Sequence, residues 1–204
     1  MINNFNREFI DSLFDTIEFI DIGNDITIMK SVIPDLIWEE ITRLEKDARS
    51  IKDHPLSSLR YMYNQGKNSY QYCVPSSDLE KSFVMPYIIF AGQKYIAELN
   101  QVDYVSLHRN VILKQLPGHY EGYDFWFNYS NVGDTNPIHK HGGSISSVIY
   151  VSNTQDMPTK FYNGYCFYGK PKEMVLFPAK LGHQVEENKI GERVTAAYNL
   201  IFRK

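Results

Sequence analysis

Cysteine is scarce in this chain: Cys73 and Cys166 are the only two in 204 residues, and they lie far apart. No disulfide framework follows from such a pair, and a reducing cytoplasm is the compartment it fits. Long apolar runs are missing as well. None approaches the roughly 20 residues that a membrane-spanning helix needs, so no membrane association is expected. The opening residues, Met1-Ile2-Asn3-Asn4-Phe5-Asn6-Arg7-Glu8, lack a basic region followed by an apolar one and do not read as a signal peptide. Charge of one sign is also in short supply. With 21 Lys and Arg against 24 Asp and Glu, the net charge is −3. That gives no global electrostatic reason to bind duplex nucleic acid or an anionic membrane. There is no glycine-rich phosphate loop, no nucleophile elbow and no paired-cysteine zinc motif. Repeats and low-complexity linkers are absent too. A chain of this length can bury one sizeable core, so residues 1–204 are expected to form a single domain.

Aromatic residues, by contrast, are abundant. The 15 Tyr and 12 Phe suit the pleated surfaces of a β-rich core. Residues 1–104 read mainly as helical support and loop, and residues 105–204 as the β core. A short helix is expected at Arg7–Leu13, then alternating apolar residues from Ile17 to Met29. Pro34 sits where a helix starts, because its missing N–H costs nothing there. Ile37, Ile41, Leu44 and Ala48 follow at spacings of one helical face, with Glu39, Glu40, Arg43 and Lys46 on the wet side. Residues 50–75 are polar and turn-rich and read as a long loop or lid. They carry Tyr61, Tyr63, Tyr70 and Tyr72, which suit either a binding surface or a cover over an active site. Ser77 and Glu80 have the spacing of a capping box. A stripe of Leu79, Phe83, Tyr87 and Phe90 then runs to about Leu99, with Pro86 expected to kink or split it.

From Val105 the pattern changes to strands: Ser106–Lys114, Gly122–Tyr129, Ser144–Val151, Tyr165–Tyr168, Met174–Phe177 and Arg193–Phe202. Gly- and Pro-containing turns punctuate them. Helices first and short strands afterwards predict an α+β fold, a β-sandwich or jelly roll with the N-terminal helices packed on one sheet.

The chemistry lies in the last third. His139 and His141 are two residues apart on an extended segment, so their side chains point to one side. Alone, such a pair is as readily two surface histidines. His183 follows an apolar strand and a Pro-containing turn, where a sheet can bring it back to complete a facial site. Imidazole suits Fe, Zn, Cu and Ni, so ligand type alone does not choose the metal. Arg193 opens a strand on which Val194, Ala196, Tyr198, Leu200 and Phe202 share one face. If that face packs on helices, Arg193 and Thr195 point inward. A buried guanidinium needs an anion, and a carboxylate matches its fork.

The segments Pro137-Ile138-His139-Lys140-His141-Gly142-Gly143, Leu176-Phe177-Pro178 before His183, and Glu192-Arg193-Val194-Thr195 before Tyr198-Asn199 resemble the Fe(II)/2-oxoglutarate-dependent oxygenases. The resemblance is strongest to the small-oxygenase branch of phages and marine bacteria, and more distant to prolyl hydroxylases; it covers residues 123–202. It implies a double-stranded β-helix, a form of jelly roll. It implies that His139 and His183 bind Fe(II), and that Arg193 holds the distal carboxylate of 2-oxoglutarate with help from Thr195. It also implies positions near 2-oxoglutarate for Tyr129 and Tyr150, which aromatic core packing explains equally well.

His141 stands where the family places a carboxylate. Three arrangements remain open: His141 binds the metal, water takes its place in a two-His site, or Asp134 reaches in from its loop. The expected activity is hydroxylation of a small-molecule or peptide substrate with O₂. Two other classes compete with it. One is a three-His cupin-like dioxygenase that does not use 2-oxoglutarate; the other is a non-catalytic jelly-roll binding module. Substrate identity and oligomeric state are not legible in the sequence.

Overall fold

The computed structural model describes residues 12, 16–50, 70–100, 110–115, 122–152 and 157–203. Three helices, α1 (Asp35–Ser50), α2 (Ser76–Glu80) and α3 (Val84–Asn100), accompany twelve strands among these residues. The strands are β1 (Glu18–Asp21), β2 (Thr27–Val32), β3 (Tyr70–Pro75), β4 (Val111–Leu113), β5 (Gly122–Ser130) and β6 (Asn136–His139). They continue as β7 (Ile145–Ser152), β8 (Thr159–Phe161), β9 (Cys166–Phe167), β10 (Glu173–Pro178), β11 (His183–Val185) and β12 (Arg193–Phe202). They form two sheets. The larger runs β1-β2-β10-β7-β12-β5-β3, with β4 pairing on β12 as its eighth strand. The smaller runs β6-β11-β8-β9. Every pairing is antiparallel.

The larger sheet has two differently covered faces. On one, Ile37, Ile41, Leu44 and Ala48 of α1 and Val84, Tyr87, Ile88 and Ala91 of α3 join Phe125, Phe127, Tyr129, Val194, Ala196, Tyr198 and Leu200 in a single buried core. The amphipathic spacing of α1 is therefore realised, with Asp35 in its first turn and Arg49 in its last, as the helix dipole favours. On the other face, Tyr150, Val175 and Phe177 meet Phe161, Phe167 and Leu181 in a second apolar cluster between the sheets. Helices on one side and the smaller sheet on the other make β12 the shared centre. Period-2 alternation then sends Val194, Ala196, Tyr198 and Leu200 to the helices and the intervening residues inward.

Several expectations shift. The helical stripe after Leu79 breaks at Lys81–Phe83, before Pro86. Ser82 causes the break: its hydroxyl donates to the Leu79 carbonyl at 2.8 Å and accepts from the Val84 N–H at 3.3 Å. Pro86 lies in the first turn of α3, where no intrahelical bond is lost. Ser77 does not cap α2; the helix begins one residue earlier, after Pro75, and no side chain caps it. Tyr70–Pro75 is an edge strand rather than loop, and Tyr70 and Tyr72 are buried under the helices, so neither offers an exposed binding surface. The expected strand from Ser106 is described only over Val111–Leu113. Strands β6, β8 and β11 are too short to show alternation, and the sequence pattern does not reveal them. The expected helix at Arg7–Leu13, apart from residue 12, lies outside the described residues, as does the lid segment over 51–69. No helix among the described residues is long and apolar enough to cross a membrane.

Helix α3 approaches the sheet at Gly92. A Cβ there would lie 2.3 Å from Leu200 Cδ1 and 3.0 Å from Val111 Cγ1. Leu200 is fully buried, so its side chain can yield only by displacing packed neighbours. Replacing Gly92 with Val is expected to destabilise the fold by about 1–3 kcal/mol through overpacking, despite the better helix propensity of Val over Gly. Urea denaturation of the variant measures it.

Candidate metal centre

Short strands β6 and β11 pair so that His139 and His183 are direct cross-strand partners. Their ring centroids lie 4.3 Å apart. His141 follows just past the end of β6, its ring centroid 4.8 Å from that of His139 and 5.1 Å from that of His183. The loop bearing His141 is tied down at several points. Its backbone N–H donates to the Ala179 carbonyl at 2.9 Å, Ala179 N–H returns to Ser144 at 3.0 Å, and Ser144 N–H reaches Leu200 at 2.8 Å. Gly143 makes this seat possible: its φ is +111°, and a Cβ would stand 2.9 Å from the Leu200 carbonyl oxygen.

The three imidazoles bring one nitrogen each to within 4.8 Å of one another, the grouping a metal ion requires. Two of them are also oriented. His139 Nδ1 lies 2.7 Å from the Pro137 carbonyl and His183 Nδ1 3.1 Å from the Leu181 carbonyl. A carbonyl only accepts, so Nδ1 carries the proton on both rings, and each Nε2 keeps its lone pair for a metal. Burial holds His183 down to about 3, with His139 adding to the effect. Burial likewise holds His141 down to about 4, with His139 and Lys114 contributing. Both are neutral near pH 7, the state that ligates.

No carboxylate belongs to this group among the described residues. Asp134, the alternative third ligand, is buried in its own turn and accepts the Asn131 N–H at 2.7 Å.

One cavity is lined by all three histidines and by Arg193, Thr195, Thr159 and Asn128, among others. Arg193 is 4% exposed. Its Nη2 is 3.5 Å from Thr159 Oγ1, too long to satisfy it, and its Nε has no hydrogen-bond partner among the described residues. No carboxylate pairs with it among the described residues. Burial accordingly pulls its pKa below the ordinary value, against a smaller opposing pull from Tyr150. Tyr150 lies beneath it, its ring 5.5 Å from the guanidinium carbon and its hydroxyl 2.6 Å from Thr159.

Of the residues singled out from sequence, His139, His141, His183, Arg193 and Thr195 meet in this cavity, and Tyr150 adjoins it. Tyr129 does not. It points to the other face of β5, stacked on Tyr70 at 4.3 Å, with the Arg49 guanidinium 5.0 Å from its ring. The reason is strand parity: Phe125, Phe127 and Tyr129 face the helices, while Trp126, Asn128 and Ser130 face the cavity. The alternation is present in the sequence and would have identified Asn128. Thr159 and Gln71 carry no such signal, since Thr159 belongs to a three-residue strand and Gln71 to a stretch that reads as loop. His54, His108 and His119 lie outside the described residues.

The sequence matches no protein-family model and no curated protein. Solved structures do match. One is an oxidoreductase of the 2OG-Fe(II) oxygenase family from Burkholderia pseudomallei, at 10% identity and a TM-score of 0.50, covering 84% of each chain. A second is the viral collagen prolyl hydroxylase of Paramecium Bursaria Chlorella virus-1, solved with 2OG, at 15% identity and a TM-score of 0.53. That alignment covers 87% of this chain and 96% of the viral one. A third is the dioxygenase for auxin oxidation 1 from Arabidopsis thaliana, in complex with 2-oxoglutarate, at 11% identity and a TM-score of 0.56, covering 86% and 84%.

The depressed histidines predict an acid-labile apoprotein. The unfolded imidazole titrates near 6.5, and folded His183 only near 3. On acidification the unfolded chain takes up protons first. Stability is therefore full above about pH 6.5 and is lost as pH falls toward 3. From His183 the loss approaches ~1.4 kcal/mol per pH unit in mid-range. Denaturant titrations of metal-free protein between pH 8 and 4 should show this slope, and His183→Gln should flatten it. At these identities the likeness is one of architecture: the chain has the fold of Fe(II)/2-oxoglutarate oxygenases, prolyl hydroxylases among them.

Proposed function

We propose that this protein is an Fe(II)- and 2-oxoglutarate-dependent oxygenase that hydroxylates a small-molecule or peptide substrate. The observation that carries the reading is Arg193: a buried guanidinium whose Nε has no partner among the described residues, in the same cavity as three convergent imidazoles. An unpaired buried cation is costly, and a dicarboxylate binding from the metal to Arg193 would remove that cost. The two sheets enclosing the cavity fit a double-stranded β-helix, and we read the described residues as one domain. Ferrous iron suits a reducing cytoplasm.

In this reading His139, His141 and His183 hold the metal on one face through neutral imidazole nitrogens. Bound iron and 2-oxoglutarate would supply the oxidation: O₂, 2-oxoglutarate and a substrate C–H give succinate, CO₂ and a C–OH. The chain's own work is orientation and shielding. The carbonyls of Pro137 and Leu181 fix two imidazole rings. Arg193 would hold the distal carboxylate of the co-substrate in a two-pronged contact, and Thr195 beside it would add a donor. Thr159 and Tyr150 brace the guanidinium from below. Phe177 and Val148 wall the cavity with apolar surface.

The full histidine triad supports a second reading, a three-His cupin-like dioxygenase without 2-oxoglutarate. That reading leaves the burial of Arg193 without a reason. Replacing Arg193 with Met separates the two. In the oxygenase it weakens 2-oxoglutarate binding by about a hundredfold or more and abolishes succinate formation, while metal uptake persists. In the alternative, oxygen consumption continues unchanged. Anaerobic addition of Fe(II) and 2-oxoglutarate to the wild type should give the weak visible absorption of their chelate; no binding of either would overturn the reading. His141→Ala is expected to lower metal affinity as far as His139→Ala does; an unchanged affinity would return His141 to a bystander.

A further inference from the structure

Beside Arg193 the cavity floor carries a chain of side-chain amides and hydroxyls whose direction is set by chemistry. Asn128 Oδ1 lies 3.0 Å from Trp126 Nε1 and 2.7 Å from Gln71 Nε2. An indole nitrogen can only donate, so the Asn128 atom facing it must be the oxygen, and the amide cannot be flipped. The Asn128 nitrogen then faces Thr195 Oγ1 at 3.3 Å and donates to it. Thr195 is 2% exposed, and this is the one hydrogen bond its hydroxyl makes among the described residues. Having accepted there, the hydroxyl keeps its own proton to give. Thr195 and Arg193 stand two residues apart on the same face of β12, and both line the cavity.

We infer that Asn128 is a positioning residue: locked by Trp126 and Gln71, it turns the Thr195 hydroxyl so that its proton is offered to the anion held by Arg193. The assignment rests on the 2-oxoglutarate reading and adds a residue to it. A hydroxyl is ambivalent, since it can accept or donate. With no donor beside it, its proton can be spent on a neighbouring acceptor, and the anion gains only a lone pair that repels it. The Asn128 amide removes that choice. Its opposite end reaches Trp126, whose ring centroid is 5.7 Å from that of His141. The hydrogen-bonded run Trp126–Asn128–Thr195 thus lies between the histidine cluster and Arg193.

The test is calorimetric titration of 2-oxoglutarate into Ni(II)-loaded full-length protein, which reads binding without turnover. Thr195→Val should weaken binding about tenfold, as loss of one charge-assisted donor requires, and Thr195→Ser should restore it. Asn128→Ala should weaken binding to a similar degree alone, and add nothing in the Thr195→Val background. Because Asn128→Ala also strips Trp126 and Gln71 of their acceptor, Asn128→Asp serves as the second variant. It keeps both acceptor contacts but takes the Thr195 proton for itself, so affinity falls at least as far. Ni(II) affinity of the Asp variant should match the wild type, which a general loss of the fold around the site would not leave unmoved. Additive effects in the Ala–Val cycle, or wild-type affinity in both Asn128 variants, overturn the assignment while leaving the oxygenase reading intact. Failure of the wild type to bind 2-oxoglutarate overturns both.

Discussion

A buried guanidinium with no carboxylate partner among the described residues is the constraint around which the cavity is organised. Arg193 starts the central strand of the larger sheet and is almost wholly enclosed, with a cation–π contact to Tyr150 and one long contact to Thr159. Neither neutralises it. Such an arrangement survives only if the rest of the fold holds it in place or a ligand completes it. The fold does hold it. Glu192, the preceding residue, is tied to α1 through Arg49 at 2.9 Å, and the Val194 N–H is held by Ser152 Oγ at 3.2 Å. Asn188 closes the turn before it, donating to the Ser130 and Gly191 carbonyls.

The same strand explains why a helical layer and a polar cavity coexist in one small protein. Alternate residues of β12 serve two environments with no residue to spare. Val194, Ala196, Tyr198 and Leu200 bury apolar area against α1 and α3, and Arg193, Thr195, Ala197 and Asn199 line the cavity. Its neighbour β5 repeats the division. At the far end of the floor, Asn199 donates to Asp124 at 2.7 Å, and Lys114 pairs with the same carboxylate at 3.3 Å. That buried acid is thus already satisfied.

The histidine face of the cavity is built on a different principle. Strands β6 and β11 are only four and three residues long, so little of their position comes from their own pairing. Their histidines are set by register, by the carbonyls of Pro137 and Leu181, and by a loop whose glycine lets its backbone lie against Leu200. The rings of His141 and His183 are neutral near neutrality because burial and the neighbouring His139 hold their pKa values down. Ligation therefore needs no deprotonation of His141 or His183 at physiological pH.

Periodicity by itself determined a good deal of this protein. The stripe Ile37, Ile41, Leu44, Ala48 specified α1, and the alternation along Arg193–Phe202 specified which side chains turn inward. The spacing of His139, His141 and His183 pointed to a shared face. These features are legible because side-chain direction follows directly from backbone repeat. What sequence could not supply was parity between elements. Tyr129 suits a co-substrate site by its distance from His139, yet a side chain one position out of phase on a strand is on the wrong side of the sheet. Tyr70 and Tyr72 look like loop residues until the larger sheet recruits them as its edge. Thr159, on a strand too short to show a period, reaches Arg193 only because β8 pairs with β11. Contacts between residues far apart in the chain depend on register and sheet order, and those are settled only when the whole core packs.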